Sequence, residues 1–513
     1  MTVPNFCTAT MPLRTEQEKI RFNKLEKLRE GRHPFPNDVK VTGSTKDVLA
    51  AIAPTDDSSE KSRFTIAGRI VQMRHMGKAA FVHVLDTAGK LQLYVKKDVV
   101  GEGPFEAFKD FDIGDIIEAT GYVFHTKTGE KSLFTEKIRL LTKALTPLPE
   151  KWHGLADVET RYRHRYVDLI SNPDVREVFQ KRSQIIREIR SFLDERTYLE
   201  VETPMLHFIA GGTTAKPFKT FYNSLDCEVF LRIAPELHLK RLVVGGFERV
   251  YEIGRNFRNE GISKKHNPEF TMLEFYQAYA TFEDLMTLSE DLFIRLVDKV
   301  CGASSIVYGE QTINFAAPWK RMSMKDSVYL VGGVSRDFDL DTLDGVQRAA
   351  SHYKIHLNDP KDWGRSLEAL WGELVEKNIV DPTFITHHPY SISPLARRNV
   401  QDPKVTDRFE LIIAGMEFAN AFSELNDAVD QRERFEAQAE RKRGGDEEAC
   451  DVDEDFLKAL EYGLPPTAGE GIGIDRLVML LTNSPTIRDV LLFPQLKPET
   501  VSSESVSIVE ESN

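Results

Sequence analysis

The pattern of apolar and polar positions predicts a small β-barrel in the first third of the chain. Five runs between residues 63 and 145 alternate apolar with polar residues, as strands with one buried face do. They are FTIAGRIVQM, AAFVHVLD, KLQLYVKK, DIIEATGYVFHT and LFTEKIRLLTKAL. Five short strands in one segment favour a barrel of the oligonucleotide-binding (OB) type over residues 61–145.

Other patterns surround this barrel. Residues 15–30 are charged with a weak apolar stripe, which predicts an exposed helix within an N-terminal helical segment and loop over residues 1–60. The Pro-containing stretch ALTPLPEKWHGL predicts a linker over residues 146–165. Residues 166–497 mix strands with long amphipathic helices, so the chain is predicted to be α+β. The acidic tail, residues 498–513, has four Glu and no Lys or Arg, and we expect disorder.

Composition narrows the class of protein. With 513 residues, 41% hydrophobic and 29% charged, the chain is typical of a globular protein of two or three domains. No apolar run approaches the length of a membrane span, so no membrane association is expected. The four cysteines lack metal-binding or CxxC spacing, which favours a reduced, cytoplasmic setting; they are Cys7, Cys227, Cys301 and Cys450.

Charge is distributed unevenly along the chain. The net charge of −13 argues mildly against a nucleic-acid partner, because phosphate binding requires a basic surface. From Lys61 to Lys143, however, there are fourteen Lys and Arg against ten Asp and Glu. The predicted barrel is therefore positive in a chain that is negative overall.

Candidate chemistry is concentrated in the stretch FRNEGISKKHNPEFTMLEFY, residues 257–276. Two strand-like runs, FERVYEIGRNFR and FTMLEFYQAYA, flank its loop and predict an antiparallel hairpin. Alternate residues of the second run share one face, which would present Phe270, Met272, Glu274 and Tyr276 in order. Such a face suits a stacked nucleotide at one end and a cationic group at the other. The alternative is an exposed, salt-bridged hairpin with a core Phe.

A second candidate is the glycine-rich run AGEGIGIDRLVML, residues 468–480. It lacks the GK[ST] ending of a P-loop and does not match the Rossmann fingerprint. Glycine lets the backbone approach a ligand closely, and the following Arg476 could stack on a base or bind a terminal phosphate. The coexistence of this run with the predicted hairpin indicates a nucleotide site.

These stretches resemble the three sequence motifs of the class II aminoacyl-tRNA synthetases. FLDERTYLEVETPML resembles motif 1, the usual dimer-interface element; FRNEG followed by HNPEF resembles motif 2, and GEGIGIDR resembles motif 3. GGTTAKPF, LRIAPELHLKRLVVGGFERVYEIGRNFRNEGIS and NAFSELNDAVDQRERF further resemble the lysyl members of the class, bacterial type, from about residue 20 to 495.

The resemblance implies a fold, a reaction and partners. The fold would be an N-terminal OB-fold anticodon-binding barrel followed by a class II catalytic domain, an antiparallel sheet flanked by helices, in a homodimer. The reaction would be activation of L-lysine with ATP to lysyl-adenylate, then transfer of lysine to the 3′ end of tRNA(Lys). It also implies Mg²⁺ bound with ATP.

Site residues follow from the same resemblance, position by position. Arg258 and Arg476 would be catalytic. ATP would be bound by Arg258, Glu260, His266, Phe270, Gly473 and Arg476. Lysine would be bound by Gly212, Glu236, Arg258, Glu274, Tyr276, Asn420 and Glu424. Glu410 and Glu417, in the strand-like RFELIIAGMEF, would hold Mg²⁺, and anticodon bases would contact Arg74, Phe81 and Gln92.

Alternatives remain open at this point. An aspartyl or asparaginyl synthetase shares the architecture, but it would require a basic residue where this chain has Glu424 and Tyr276. A paralogue that lysylates a protein would lack the barrel, and a non-catalytic relative would have lost Arg258, Glu410 or Arg476. Each glutamate alone could be an ordinary surface residue, and Phe81 could belong to the barrel core.

Two departures from the family pattern are evident. Glu470 stands in motif 3 where an apolar residue, usually Leu, is expected, and we expect this charge at the rim of the pocket. The basic N-terminal extension of many eukaryotic cytosolic forms is missing, which favours a bacterial or organellar type.

Overall fold

The computed structural model describes residues 14–31, 35–51, 62–149, 157–446 and 449–498, and the chain divides into two compact units, residues 1–156 and 157–513. Parts of the predicted N-terminal segment and linker, and nearly all of the predicted acidic tail, lie outside the described residues.

The first unit contains a closed five-stranded barrel. Its helices are α1 (Glu16–Gly31), α2 (Thr45–Ala50), α3 (Lys97–Val100) and α4 (Glu102–Lys109). Its strands are β1 (Arg63–Met76), β2 (Ala79–Leu85), β3 (Lys90–Lys96), β4 (Ile116–His125) and β5 (Lys131–Thr142). The strand order is β1-β2-β3-β5-β4, and β4 closes the barrel against β1. The five strands and the helix near residues 15–30 predicted from the alternation of residues are all present.

The barrel interior is filled by alternate residues of each strand. Ala80, Val82 and Val84 of β2 are fully buried, and their neighbours along the strand are half-buried on the outer face. At one end the buried Lys143 ammonium contacts both Asp112 and Asp115, and Asp112 also pairs with Lys24 of α1 at 2.8 Å. This ion network fastens the N-terminal helix to the barrel.

The second unit is built on an eight-stranded sheet. Its helices are α5 (Val158–Arg163), α6 (Arg165–Ser171), α7 (Pro173–Asp194), α8 (Glu236–Val244), α9 (Phe282–Cys301), α10 (Met324–Leu330), α11 (Leu343–Tyr353), α12 (Trp363–Leu374), α13 (Ala428–Arg443), α14 (Glu454–Gly463), α15 (Ile474–Leu481) and α16 (Ile487–Val490), with 3₁₀ turns at Glu376–Asn378 and Tyr390–Ile392.

The strands of this unit are β6 (Leu199–Glu200), β7 (Leu206–His207), β8 (Lys219–Tyr222), β9 (Cys227–Leu231), β10 (Arg249–Phe257), β11 (Glu269–Ala278), β12 (Ser305–Tyr308), β13 (Gln311–Asn314), β14 (Lys320–Ser323), β15 (Thr383–Thr386), β16 (Arg408–Ile413), β17 (Met416–Ser423) and β18 (Thr467–Gly473). The main sheet has the order β14-β15-β16-β17-β18-β11-β10-β6. Its pairs are antiparallel except at the two edges.

The two faces of the main sheet differ. One face packs on α7, α9 and α15 and forms the largest hydrophobic core, which includes Leu273, Phe275, Ala421 and Ile472. The alternate residues of the same strands point to the other face. The α+β architecture predicted from the sequence is confirmed. None of the described helices is long and apolar enough to span a membrane.

Glu470 does not lie where the sequence analysis places it. It pairs with Phe275 of β11 in the sheet register and turns its carboxyl group toward α9, where the Ser289 hydroxyl donates a hydrogen bond to Oε1 at 2.5 Å. Glu470 borders the cavity on the other face of the sheet, but its charge is not at the rim as predicted, because its side chain alternates with Gly469 and Gly471, which occupy that face. Its Oε2 is buried without a hydrogen-bond partner among the described residues. Burial raises the pKa of Glu470 to about 8, although the Ser289 hydrogen bond opposes the shift.

This buried acid should make folding stability depend on pH. In the unfolded chain the Glu470 carboxyl ionises near 4.5, whereas in the folded protein it retains its proton to about pH 8. Folding therefore takes up a proton between these values, and the contribution of Glu470 to stability falls as pH rises through this window. Between pH 5 and pH 8 we expect a loss of roughly 3 kcal/mol relative to Glu470→Leu, since the slope reaches about 1.36 kcal/mol per pH unit only between the two pKa values.

Urea titrations of wild type and Glu470→Leu across this pH range measure the difference. Glu433→Leu is the control, since Glu433 is exposed on α13. Parallel stability curves for wild type and Glu470→Leu would show that Glu470 is ionised in the folded protein.

Candidate active site

A cavity of about 350 Å³ opens on the face of the main sheet opposite the large core. Twelve of the fourteen catalytic-domain residues that the sequence predicts for substrates and metal line it: Gly212, Glu236, Arg258, Glu260, His266, Phe270, Glu274, Tyr276, Glu417, Asn420, Gly473 and Arg476. The other two, Glu410 and Glu424, are not part of the lining. Residues more than 200 positions apart are thus brought together by the sheet.

The strand register explains why these side chains meet. Glu274 of β11 is opposite Gly471 of β18, which is opposite Asn420 of β17, which is opposite Glu410 of β16. One row across four strands therefore carries three polar side chains and one glycine. Residues in such a row share a face of the sheet. The register therefore places Glu274 and Asn420, predicted to bind lysine, in line with Glu410, predicted to bind the metal.

Glycines of β18 form the floor of the cavity. A Cβ atom at Gly469 would lie 2.3 Å from Oε1 of Glu424 and 2.3 Å from Cε1 of Tyr276. At Gly471 it would lie 2.9 Å from Cε of Met272, the end of a flexible side chain. The glycine-rich run therefore lets the Glu424 carboxylate and the Tyr276 ring lie directly against the backbone at Gly469.

Motif 2 and motif 3 residues meet at one end of the cavity. The Arg258 guanidinium lies 5.1 Å from the centre of the Phe270 ring, and its buried Nε has no hydrogen-bond partner among the described residues. Arg476 donates from Nη1 to the Glu417 carbonyl oxygen at 2.6 Å, and its Nη2 is 3.2 Å from Nε2 of His266. Burial and the Arg476 charge lower the pKa of His266, so its neutral ring can accept this hydrogen bond.

The helix that carries Arg476 is held in place by a buried carboxylate. Asp475 accepts hydrogen bonds from Arg182 of α7 and from the backbone N–H of Thr271, both at 2.7 Å. These two contacts tie the first turn of α15 to β11 and to α7. They fix the position of the helical turn that carries Arg476.

Three buried glutamates and a tyrosine occupy the other end. Burial and the Glu236 charge raise the pKa of Glu274 to about 8, and burial also raises the pKa of Glu424 to about 8 against the opposing charge of Lys240. The Tyr276 hydroxyl donates to Oε2 of Glu274 at 3.3 Å. Gly212 has a φ of +94°, and a Cβ there would lie 3.2 Å from the Glu236 Cβ, so this glycine packs against the stem of Glu236. A cation placed among these acids would favour their ionised forms.

The sequence analysis missed two cations that contact predicted site residues, Lys240 and Arg408. Lys240 reaches Glu236 and Glu424, and Arg408 donates to Oδ1 of Asn420 at 3.0 Å and to Oε1 of Glu410 at 2.6 Å. Both contacts follow from the usual spacing of residues in helices and strands. Lys240 is one helical turn after Glu236, and Arg408 is two residues before Glu410 on the same face of a strand.

Glu410 and Glu417 belong to two strands joined by a turn. The sequence analysis treats RFELIIAGMEF as one strand-like segment, but Ala414 and Gly415, at φ of +50° and +65°, reverse the chain between β16 and β17. Burial and the charge of Glu410 raise the pKa of Glu417. No set of three or more His, Cys, Asp or Glu that could hold a metal occurs among the described residues. Two carboxylates beside a nucleotide cavity fit Mg²⁺, which takes few protein ligands and completes its shell with phosphate and water.

The predicted anticodon residues lie on the outer face of the barrel. Arg74 of β1 is directly opposite Phe81 of β2, which is opposite Tyr94 of β3. The Phe81 ring is half-buried, 5.0 Å from the Tyr94 ring, and is separate from the interior cluster. Nε2 of Gln92 donates to the Ser132 hydroxyl at 2.9 Å. Phe81 is therefore not part of the barrel core.

Family models match both units. Residues 64–141 match the OB-fold nucleic acid binding domain, and residues 157–497 match tRNA synthetases class II (D, K and N). Together with the strand topology, these matches confirm the OB barrel and class II catalytic domain expected from the sequence.

Individual relatives are similar over nearly the whole chain. The lysine–tRNA ligase of Thioalkalivibrio sulfidiphilus is 52% identical over 491 residues, which cover 94% of this chain and 98% of that protein. That of Bacillus subtilis is 50% identical over 487 residues, 94% of this chain and 97% of that protein. That of Pectobacterium carotovorum is 51% identical over 486 residues, 94% and 96% of the two chains. The chain therefore belongs to the class II tRNA synthetases of the D, K and N group and, within them, to the lysine–tRNA ligase family.

Proposed function

We propose that this protein is a lysine–tRNA ligase that activates L-lysine with ATP to lysyl-adenylate and transfers the lysine to the 3′ end of tRNA(Lys). The observation that carries the proposal is the charge of the cavity, with buried carboxyl groups at one end and the guanidinium groups of Arg258 and Arg476 at the other. Lysine is the amino acid that needs acidic partners for two ammonium groups. The relatives named above carry the same activity.

In this proposal the substrate lysine spans the acidic end of the cavity. Glu236 and the backbone near Gly212 take the α-ammonium group, and Glu424 with Tyr276 takes the ε-ammonium group. Glu274 and Asn420 line the same space, and Arg258 holds the α-carboxylate or the α-phosphate. Carboxylates that repel one another when buried gain most from a ligand with two positive charges.

ATP occupies the other end. The adenine stacks between Phe270 and Arg476 above Gly473, Glu260 contacts its exocyclic amine, and His266 is near the terminal phosphates. Glu410 and Glu417 would hold Mg²⁺, which neutralises phosphate charge when bound. The hydrogen bonds of Arg476 to the Glu417 carbonyl and to His266 keep its side chain beside Glu417 and the motif 2 loop.

The reaction then needs no nucleophilic side chain. The lysine carboxylate attacks the α-phosphorus of ATP, the bond to the β-phosphate oxygen breaks, and pyrophosphate leaves. The terminal ribose hydroxyl of tRNA attacks the adenylate carbonyl and releases AMP. Arg258 and Arg476 act by positioning and by stabilising the charge that develops on phosphate.

Amino-acid-dependent exchange between ATP and pyrophosphate tests the proposed activity. The assay uses the full chain, Mg²⁺ and each of the twenty amino acids in turn, without tRNA. We expect exchange with lysine alone and its loss when EDTA replaces Mg²⁺. Exchange with aspartate or asparagine would keep the fold and overturn the lysine pocket; no exchange at all would favour a binding protein on a synthetase scaffold.

Replacing Glu424 with Gln should impair lysine use selectively. The amide cannot form an ion pair with the ε-ammonium group, so we expect the KM for lysine to rise at least about 30-fold while the KM for ATP changes less than about twofold. Exchange kinetics with each substrate varied in turn measure both constants. The control is Glu433→Gln, at an exposed position on α13. Unchanged lysine kinetics would remove Glu424 from the lysine site.

The barrel should contribute to tRNA charging and not to adenylate formation. Phe81→Ala removes the ring on which a base would stack, for which about 1–3 kcal/mol is typical, so aminoacylation should fall roughly 10-fold or more. The exchange reaction should be unchanged. Ile113→Ala, at an exposed apolar residue before β4, is the control. Equal losses of charging and exchange in Phe81→Ala would contradict an anticodon role.

We also expect a homodimer in the cytoplasm, where tRNA is charged. Seven apolar side chains between residues 199 and 247 are 45–63% exposed: Leu199, Met205, Leu206, Phe208, Phe221, Leu225 and Phe247. Leu199, Met205 and Leu206 belong to the motif 1 segment, which also contains β6, an edge strand of the main sheet. A second copy of the chain would cover them. Sedimentation velocity at micromolar concentration measures the assembly, and a monomer would contradict it.

A further inference from the structure

One internal lysine lies among the acids of the proposed substrate site. The Lys240 side chain is 0% exposed, and its Nζ is 2.7 Å from Oε1 of Glu236 and in closer contact with the Glu424 carboxylate. The rings of Phe422 and Phe456 lie 5.4 Å and 5.9 Å from the same nitrogen. The ammonium group is therefore enclosed by two carboxylates and two aromatic rings.

The position of Lys240 differs from that of a cavity residue. Glu236 and Phe422 line the cavity, whereas Lys240 does not. Lys240 leaves α8 one turn after Glu236 and reaches Glu424, which follows β17, from behind the cavity wall. The two carboxylates it joins come from different elements, so their separation is set by this one side chain.

Acidic and basic groups both surround the cluster of Glu236, Lys240 and Glu424. Glu274 and Tyr276 face it from β11, and Glu252 is opposite Glu274 on β10, where it is paired with Arg232 at 2.6 Å. Arg408 of β16 and Arg258 contribute positive charge from the cavity side. On α14, which packs against α8, Asp453 and Asp455 pair with Arg241 instead.

Burial alone would neutralise the acids. Removing two charges from water costs several kcal/mol for each unless a counter-charge is in contact. Lys240 supplies this counter-charge: burial opposes its own charge, but the two carboxylates outweigh burial and raise the pKa of its ammonium group. Lys240 is therefore protonated at neutral pH.

We propose that Lys240 is a positioning residue for the substrate, whose ammonium group bridges Glu236 and Glu424 and holds their carboxyl groups at a fixed separation, ready for the two ammonium groups of lysine. This inference rests on the proposed function, since it takes these glutamates as the lysine ligands. Lys240 also opposes the effect of burial on the pKa of both acids, so without it both would hold their protons more tightly, and a neutral carboxyl group pairs weakly with an ammonium group.

Lys240→Met tests the proposal, because Met is unbranched, similar in length and uncharged. At pH 7 we expect the KM for lysine to rise at least about 30-fold, with the KM for ATP within about twofold of wild type. The pKa of Glu424 is about 8 with Lys240 in contact, so removal of Lys240 should shift its ionisation to higher pH, and the defect should shrink only as the pH approaches that value. The measurement is lysine-dependent exchange of the full chain from about pH 6.5 to about pH 9.

Two further variants separate charge from packing. Lys240→Arg keeps the positive charge and should retain the pH dependence of wild type, even where its bulk raises the KM. Lys458→Met removes an exposed lysine of α14 and should leave both KM values unchanged. Three results for Lys240→Met would overturn the proposal. The KM for lysine could stay unchanged, or it could rise equally at every pH. It could also fall, which would show that Lys240 competes with the substrate.

Proton release gives a second test. Isothermal calorimetry of lysine binding in buffers of different protonation enthalpy counts the protons released. Because Lys240 lowers the pKa of Glu236 and Glu424 from where burial alone would place it, Lys240→Met should release more protons than wild type on binding lysine at pH 7, and Lys240→Arg should match wild type. Equal or smaller release by Lys240→Met would overturn the proposal. Absence of lysine-dependent exchange in wild type would instead refute the proposed function itself.

Discussion

The arrangement of the catalytic unit depends on which buried acidic side chains have a cation in contact. A carboxylate removed from water is stable only with cations or hydrogen-bond donors in contact, and otherwise it takes up a proton. On the cavity face, Glu236 and Glu424 share Lys240, Glu410 contacts Arg408, and Glu252 contacts Arg232. Each of these cations is itself buried or nearly so. The buried cations therefore determine how the acids beside the cavity are positioned for a substrate.

The register of the strands determines the shape of the cavity. The glycines of β18 stand between rows of larger residues on β11 and β17, so carboxylates and rings from both sides approach one another over bare backbone. A side chain at Gly469 would collide with both Glu424 and Tyr276. The same strand carries apolar residues on its other face, where they join the core against α9. Alternate residues of β18 thus face the cavity and the hydrophobic core.

Much of this could be predicted from the sequence because it depends on local periodicity. The alternation of residues located the barrel strands, and the spacing of Phe270, Glu274 and Tyr276 indicated a common face, which the cavity lining shows. The resemblance supplied the remaining ligands that lie far apart in the chain. Lys240 and Arg408 were missed because their importance lies in burial and in contacts with distant elements. The turn at Ala414–Gly415 was missed because the flanking residues are all compatible with a continuous strand.

Glu470 illustrates what separates a functional buried acid from a structural one. It is as buried as Glu424, and burial raises the pKa of each to about 8. Glu424 has the Lys240 ammonium group in contact, whereas Glu470 has only the Ser289 hydroxyl and an apolar core around it. A second cation brought to Glu424 would meet a carboxyl group already held by Lys240, while ionisation of Glu470 would leave an uncompensated charge in the core. The same residue type, one strand apart, thus has a cation as its partner beside the cavity and a hydroxyl group as its partner in the core.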